Sequence, residues 1–258
     1  MTVNPLLCDI YAGDLGGKPD IAKLATAGAP WHGLWLKATE GLYYPQRSSS
    51  GPYGDAWFLH NWPLARTAAG TRYGFDWFRG AYHYHRIDQD AVAQADAYLA
   101  LIERGGGWAY GDLWPMIDVE SAENPVKPGK QRIVDSVSAW VERVKAVLGR
   151  EIVLYGGEYL AENGVTSRMG CSMLSVARYA QDLPPVVYNR IGWNLSGKNA
   201  ASPLAQATVL EWQYCGDGEA YLKNYPKISP MGAIDIGAVI VNGDDGLAWL
   251  RRNLFTTS

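Results

Sequence analysis

Cysteine, phenylalanine, histidine and long apolar runs are all scarce in this chain, and each scarcity removes a class of protein. The three cysteines, Cys8, Cys171 and Cys215, are an odd number, and each sits in an apolar stretch. Buried thiols fit that pattern better than a disulfide framework. No apolar segment approaches the ~20 residues that a membrane-spanning helix needs. The amino terminus, MTVNPLLCDI, has no charged segment followed by a long apolar one. The chain therefore reads as made without a classical signal peptide and without membrane insertion. Runs of Lys or Arg are missing as well, and the net charge is -3, so there is no electrostatic footprint for nucleic acid. The Gly-rich segment at 105–107 follows no strand and lacks phosphate-loop spacing, which makes it a linker rather than a nucleotide cradle.

What is present in quantity is apolar and aromatic surface. With 48% hydrophobic residues over 258 positions the chain can bury a full core, and α/β barrels of ~250 residues often form one domain. There are 11 Trp and 16 Tyr against 4 Phe. Tyr and Trp combine a flat apolar face with a polar edge, which suits sugar rings, although core packing accounts for most of them by default.

Strand-like and helix-like segments alternate along the chain. Short apolar runs at 5–10, 33–38, 80–84 and 152–155 read as strands, as does the run entering Asp118. Helical composition covers 20–29, 55–69 with Asp55 as its cap, and 88–104. The clearest amphipathic helix is 130–148, where Val134, Val137, Val141, Val144 and Leu148 recur at three-to-four spacing. A shorter helix is expected at 157–163. Beyond it, 173–179, 209–214 and 234–241 read as strands between loops rich in Gly, Pro and Asn, and 245–254 as a closing helix. Five strand-helix units followed by three strands suggest an α/β fold, a modified TIM-like barrel whose working residues gather at the carboxyl ends of strands.

The candidate chemistry lies in 114–121, WPMIDVES. Its apolar lead-in reads as a buried strand, and residues two apart on a strand share a face. Asp118 and Glu120 therefore point the same way, with backbones roughly 6.6 Å apart at ~3.3 Å per residue. Such a pair can act as acid and base, as acid and nucleophile, or as metal ligands. Asp9 ends the first strand, Glu40 follows the second, and Asp235 lies in the eighth. In a closed barrel the first and eighth strands are neighbours, so Asp9 and Asp235 should stand side by side, which points to a carboxylate-based active site.

These residues resemble glycoside hydrolase family 25, the Chalaropsis-type lysozymes or N-acetylmuramidases of bacteria and phage endolysins. The resemblance runs in order through Asp9, Leu36-Lys37-Ala38-Thr39-Glu40-Gly41, Gly80-Ala81-Tyr82-His83-Tyr84, Gln94-Ala95, Ile117-Asp118-Val119-Glu120, Trp212-Gln213-Tyr214 and Ile234-Asp235-Ile236. It implies one catalytic barrel over 1–258 with no separate wall-binding module, no cofactor and no metal. The implied partner is bacterial cell-wall peptidoglycan, cleaved at the β-1,4 bond between N-acetylmuramic acid and N-acetylglucosamine after phage-induced membrane permeabilisation. The oligomeric state stays open. Carried over position by position, Glu120 resembles the general acid, and Asp118 the nucleophile or the group that orients the substrate's acetamido. Asp9 and Asp235 would hold substrate and shape the field, with Tyr82 as a hydrogen-bond partner and Trp212 as a platform. The chain departs from the family at Ser175, where a Trp is common, at Asp14, where an amide is usual, and at Gln46.

Other readings use the same residues. His83 and His85 share a strand face and invite a zinc hydrolase, but only His32 and His60 remain, both upstream. A magnesium phosphodiesterase could use Asp9, Asp118, Glu120 and Asp235, yet no basic residues for phosphate cluster near them. Lys37 and Glu40 fit a structural ion pair. The non-enzyme alternative is a glycan-binding protein on an inactive barrel.

Overall fold

The computed structural model describes residues 4–12, 14, 19–42, 54–122, 124–156, 158–177, 208–216, 219–220, 225–226, 228–239 and 245–254. Gln46, Arg178 and Tyr179 lie outside the described residues. Eight strands close into a barrel: β1 (Leu6–Ile10), β2 (Trp31–Glu40), β3 (Phe78–Tyr84), β4 (Met116–Val119), β5 (Val153–Gly156), β6 (Met173–Ala177), β7 (Thr208–Gly216) and β9 (Asp235–Val239). A two-residue strand, β8 (Glu219–Ala220), pairs only with the end of β7. Neighbours from β1 to β7 run parallel, and β9 closes the ring antiparallel to both β7 and β1.

Helices α1 (Ile21–Thr26), α2 (Phe58–Thr67), α3 (Ala91–Arg104), α4 (Lys130–Leu148) and α5 (Glu158–Glu162) follow the first five strands, and α6 (Gly246–Leu254) follows β9. The expected order of five strand-helix units and three strands is the one observed. α4 has the expected bounds, and its buried face, Ile133, Val137, Trp140, Val141 and Val144, keeps the helical period. α2 begins later than Asp55, because that carboxylate accepts the amides of Trp57 (2.9 Å) and Ala12 (2.7 Å) and so ties the segment after β1 to the entry of α2. Among the described residues no helix is long and apolar enough to cross a membrane.

Alternation along each strand divides the core in two. Leu6, Cys8, Ile10, Ile117 and Val119 face the helices, whereas Leu7, Trp35, Phe78, Tyr82, Met116, Val153 and Tyr155 fill the barrel. Two glycines make the filling possible. A Cβ on Gly80 would lie 2.2 Å from the Trp35 ring, and one on Gly237 would lie 2.0 Å from Glu211 Oε1. Glu211 Oε2 accepts both Trp35 Nε1 (2.8 Å) and Ser175 Oγ (3.0 Å), so Ser175 supplies a donor to a buried carboxyl and the indole comes from β2.

The floor of the barrel is held by paired charge and by α6. Arg79 meets Asp112 through two bonds of 2.8 and 3.1 Å, and its guanidinium lies 3.7 Å from the Trp62 ring centroid. Leu250 and Leu254 of α6 join the inner core with Leu7, Phe78 and Val239.

Candidate active site

The opposite end of the barrel collects acids. Asp9 and Asp235 are directly paired across β1 and β9, as expected from barrel closure, although β9 runs backwards and presents Asp235 from its first residue rather than its last. Asp118 stands in β4 in register with Tyr84 on one side and Tyr155 on the other. Glu120 follows β4 directly. Its carbonyl accepts Asn124 Nδ2 at 2.9 Å, and the same amide nitrogen reaches the carbonyl of His85 at 2.9 Å. Asn124 Oδ1 in turn accepts the amide of Ile87 (2.8 Å), so one side chain fastens the segments after β3 and β4 together. A polar chain completes the wall: Tyr155 donates to Gln213 Oε1 at 2.7 Å, and Gln213 Nε2 donates to Asp235.

Burial and like charge govern the electrostatics. Asp118 is 6% exposed, and its Oδ1 has no hydrogen-bond partner among the described residues. Burial pushes this carboxyl well above the usual carboxylate range. Glu120, Asp9 and Glu40 add to the rise, and Lys37 opposes it. Glu120 is raised by burial and by Asp235, again opposed by Lys37. Asp9 is raised well above its ordinary value by burial, Asp235, Glu211 and Asp14, against a hydrogen bond from Tyr82. One layer below, burial lifts Glu211 to about 7. Burial and like charge thus act together on Asp118 and Glu120, each making the ionised form of the other less favourable.

The family's sequence model, described as glycosyl hydrolases family 25, matches residues 13–220. The chain belongs to family 25. It is a glycoside hydrolase of the lysozyme type. Solved structures of the same fold include a family 25 glycosyl hydrolase from Bacillus anthracis, 18% identical with a TM-score of 0.64, covering 95% of this chain and 93% of that one. The catalytic domain of endolysin ply40 from bacteriophage P40 of Listeria monocytogenes is 16% identical with a TM-score of 0.59, covering 97% and 98%. The modular autolysin LytC from Streptococcus pneumoniae, in complex with a synthetic peptidoglycan ligand, is 15% identical with a TM-score of 0.58, covering 92% of this chain and 46% of that one. No curated protein sequence matches the chain.

Within this family 25 barrel, Asp9, Tyr82, Asp118, Glu120 and Asp235 gather at the mouth. Tyr82 lies inside the barrel at 6% exposure and bonds Asp9. Trp212 does not join them. It is 1% exposed and packs in the outer core, edge-on to Tyr214, because its place on β7 is out of phase with inward-facing Gln213, so packing rather than a sugar platform is its observed role. Lys37 and Glu40 form the expected ion pair at 2.7 Å. His83 and His85 point away from the mouth, toward α3 and α4. His83 is held between Thr39 Oγ1 (2.7 Å) and Gln94 Oε1 (3.1 Å) and stacked on Trp140, and His85 Nε2 lies 2.8 Å from Ser136 Oγ. Among the described residues no group of three or more His, Cys, Asp or Glu is disposed to share a metal ion. Sequence reasoning missed Asn124, Tyr155 and Glu211. Only Gln213, the partner of Tyr155, carried a signal, as part of the Trp-Gln-Tyr run.

Proposed function

We propose that this family 25 hydrolase is an N-acetylmuramidase acting on bacterial peptidoglycan at the β-1,4 bond between N-acetylmuramic acid and N-acetylglucosamine. The observation that carries the reading is the placement of Asp118 at the end of β4 and Glu120 directly after it, two carboxyls at the mouth of the barrel whose protonated forms burial favours. Glycoside hydrolysis needs one carboxyl that keeps its proton until the glycosidic oxygen departs and one carboxylate on the other side of the reaction. Glu120 is more exposed than Asp118 and is assigned the acid. Asp118, deeper and with an oxygen that no described residue bonds, serves as nucleophile or as acceptor for the substrate's own acetamido N–H. Asp9 and Asp235 hold the glycan and keep the local field negative, which favours the developing oxocarbenium charge. Tyr82 orients Asp9.

A role as an endolysin, reaching the wall after the membrane has been permeabilised, is supported by the likeness to the phage catalytic domain. Mass spectrometry of purified wall after digestion tests the bond. New reducing ends should appear on muramic acid. Reducing ends on glucosamine, or freed stem peptides on intact glycan, would overturn the assignment, and binding without any cleavage would favour the glycan-binding alternative. Turnover should also survive prolonged chelation. Loss of activity restored by one divalent ion would favour a metal-dependent hydrolase.

A further inference from the structure

We propose that Lys37 is the counter-ion of the Asp118–Glu120 pair, an ammonium clamped by Glu40 beside two tyrosine rings so that its charge bears on both reacting carboxyls. The proposal rests on the reading that those two carboxyls do the chemistry. Lys37 stands on β2 in register with Tyr82, which sends its side chain into the barrel mouth. Nζ lies 2.7 Å from Glu40 Oε2, 5.8 Å from the Tyr11 ring centroid and 4.7 Å from that of Tyr84, the β3 residue in register with Asp118 on β4. The other Glu40 oxygen is 3.7 Å from Arg86 Nη1, so the clamp is anchored from the segment after β3. Lys37 and Glu40 side chains are only 10% and 9% exposed. A buried ion pair costs desolvation that its own attraction barely offsets, so it is a weak device for stability alone.

The titratable groups this ammonium acts on are Asp55 before α2, His83 of β3, Asp118 and Glu120; Glu40 and Arg86 complete its charged surroundings, and Asp9 of β1 and Asp235 of β9 face the two carboxyls. Lys37 favours the ionised forms of Asp118, Glu120 and Asp55, while Glu40 disfavours that of Asp118. The two members of one ion pair thus act on Asp118 with opposite sign. If the pair acted on the site only by holding the chain in place, removing either end would break the same contact and move the site in the same direction.

The test compares Lys37→Met, Lys37→Arg and Glu40→Gln, each checked for folding by circular dichroism. The titrations of Asp118 and Glu120 are followed by carbon-13 carboxyl NMR, assigned with Asp118→Asn and Glu120→Gln, alongside the pH profile of wall lysis. In Lys37→Met both carboxyls should titrate at higher pH, with activity on the acid limb down roughly tenfold, the effect of one unit charge at close range. Lys37→Arg should restore the wild-type profile. Glu40→Gln should move the Asp118 titration and the acid limb to lower pH. Displacements in the same direction for Lys37→Met and Glu40→Gln, or none, overturn the proposal. Should Lys37→Met fail to fold, an unmoved or raised Asp118 in Glu40→Gln overturns it equally. If the NMR titrations move as stated while the lysis profile stays put, the counter-ion stands and the assignment of Asp118 and Glu120 as the reacting pair fails.

Discussion

At the floor of the barrel, Arg79 and Asp112 have side chains 2% and 0% exposed and pair with each other, while Arg150 and Arg72 bond backbone carbonyls. At the mouth, Asp9, Asp118, Glu120 and Asp235 converge beside the Lys37–Glu40 pair, and Asp118 Oδ1 has no partner among the described residues. The same strands run between the two ends. The difference teaches where this fold spends its stability. Satisfied polar groups hold the scaffold together, while crowded carboxyls that would relax if one were removed are what the proposed site would use for binding and chemistry.

The comparison can be broken most forcefully at the floor. Asp112→Asn leaves the Arg79 guanidinium buried without its charge partner and should cost about 3–5 kcal/mol of stability. Lysis per folded molecule should stay at the wild-type level. Urea unfolding combined with activity corrected for the folded fraction reads both quantities, and a specific loss of turnover would contradict the division of labour.

At the mouth the signs should reverse. Glu120→Gln keeps the shape without the transferable proton and should slow turnover at least ~100-fold, about 2.7 kcal/mol of barrier, with glycan still bound. Asp118→Asn should also be slow, through loss of charge, and should melt no lower than wild type because it removes a like-charge conflict. Wall turbidity and soluble-fragment release, measured beside thermal unfolding, check the pair. Near wild-type turnover in folded Glu120→Gln would remove Glu120 from the acid's role.

A smaller effect separates the layers by pH. Glu211 titrates at about 7 in the folded barrel against an ordinary 4.5. A raised folded value means that the stabilising contribution is complete below the ordinary range and disappears as pH rises through about 7, and Asp9 and Asp118 act in the same direction. Stability, and the melting temperature with it, should therefore fall as pH rises from about 4.5 to about 7, by at most ~1.4 kcal/mol per pH unit for one group. Glu211→Gln should flatten that slope. An unchanged slope would remove Glu211 as its source. The smallest effect is expected at the surface pair Arg143–Asp96, 2.7 Å apart with side chains 43% and 50% exposed, where Asp96→Asn should cost less than ~1 kcal/mol by urea unfolding and should matter less as salt is added.

Much of this was legible in the chain itself. The period of α4 and the acids at strand ends are local patterns, and ring closure alone puts Asp9 beside Asp235. Strand direction is not local, so the reversal of β9 left no trace in the sequence. Phase explains other differences. Tyr82 and Gln213 face inward while His83 and Trp212, one residue on or back, face the helices, and a one-residue shift of register exchanges the two sets. Depth escaped as well, since the alternation that puts Asp118 and Glu120 on one face does not show how deeply the barrel buries the first of them. Ser175 looked like a plain departure from its family until Glu211 and Trp35 were seen to meet it, three residues on three strands.

The reversal of β9 also decides which way the molecule can be extended. Because that strand enters at the mouth and leaves at the floor, α6 is delivered under the barrel, with Trp249 5.5 Å from Trp114 and Arg251 Nε bonded to the carbonyl of Phe75 at 2.8 Å. Leu254 therefore ends α6 on the side away from the mouth. A fluorescent protein, an affinity handle or a wall-targeting module grafted behind α6 would trail the enzyme like a tether rather than stand in its doorway, leaving the mouth free to press against an extended polymer.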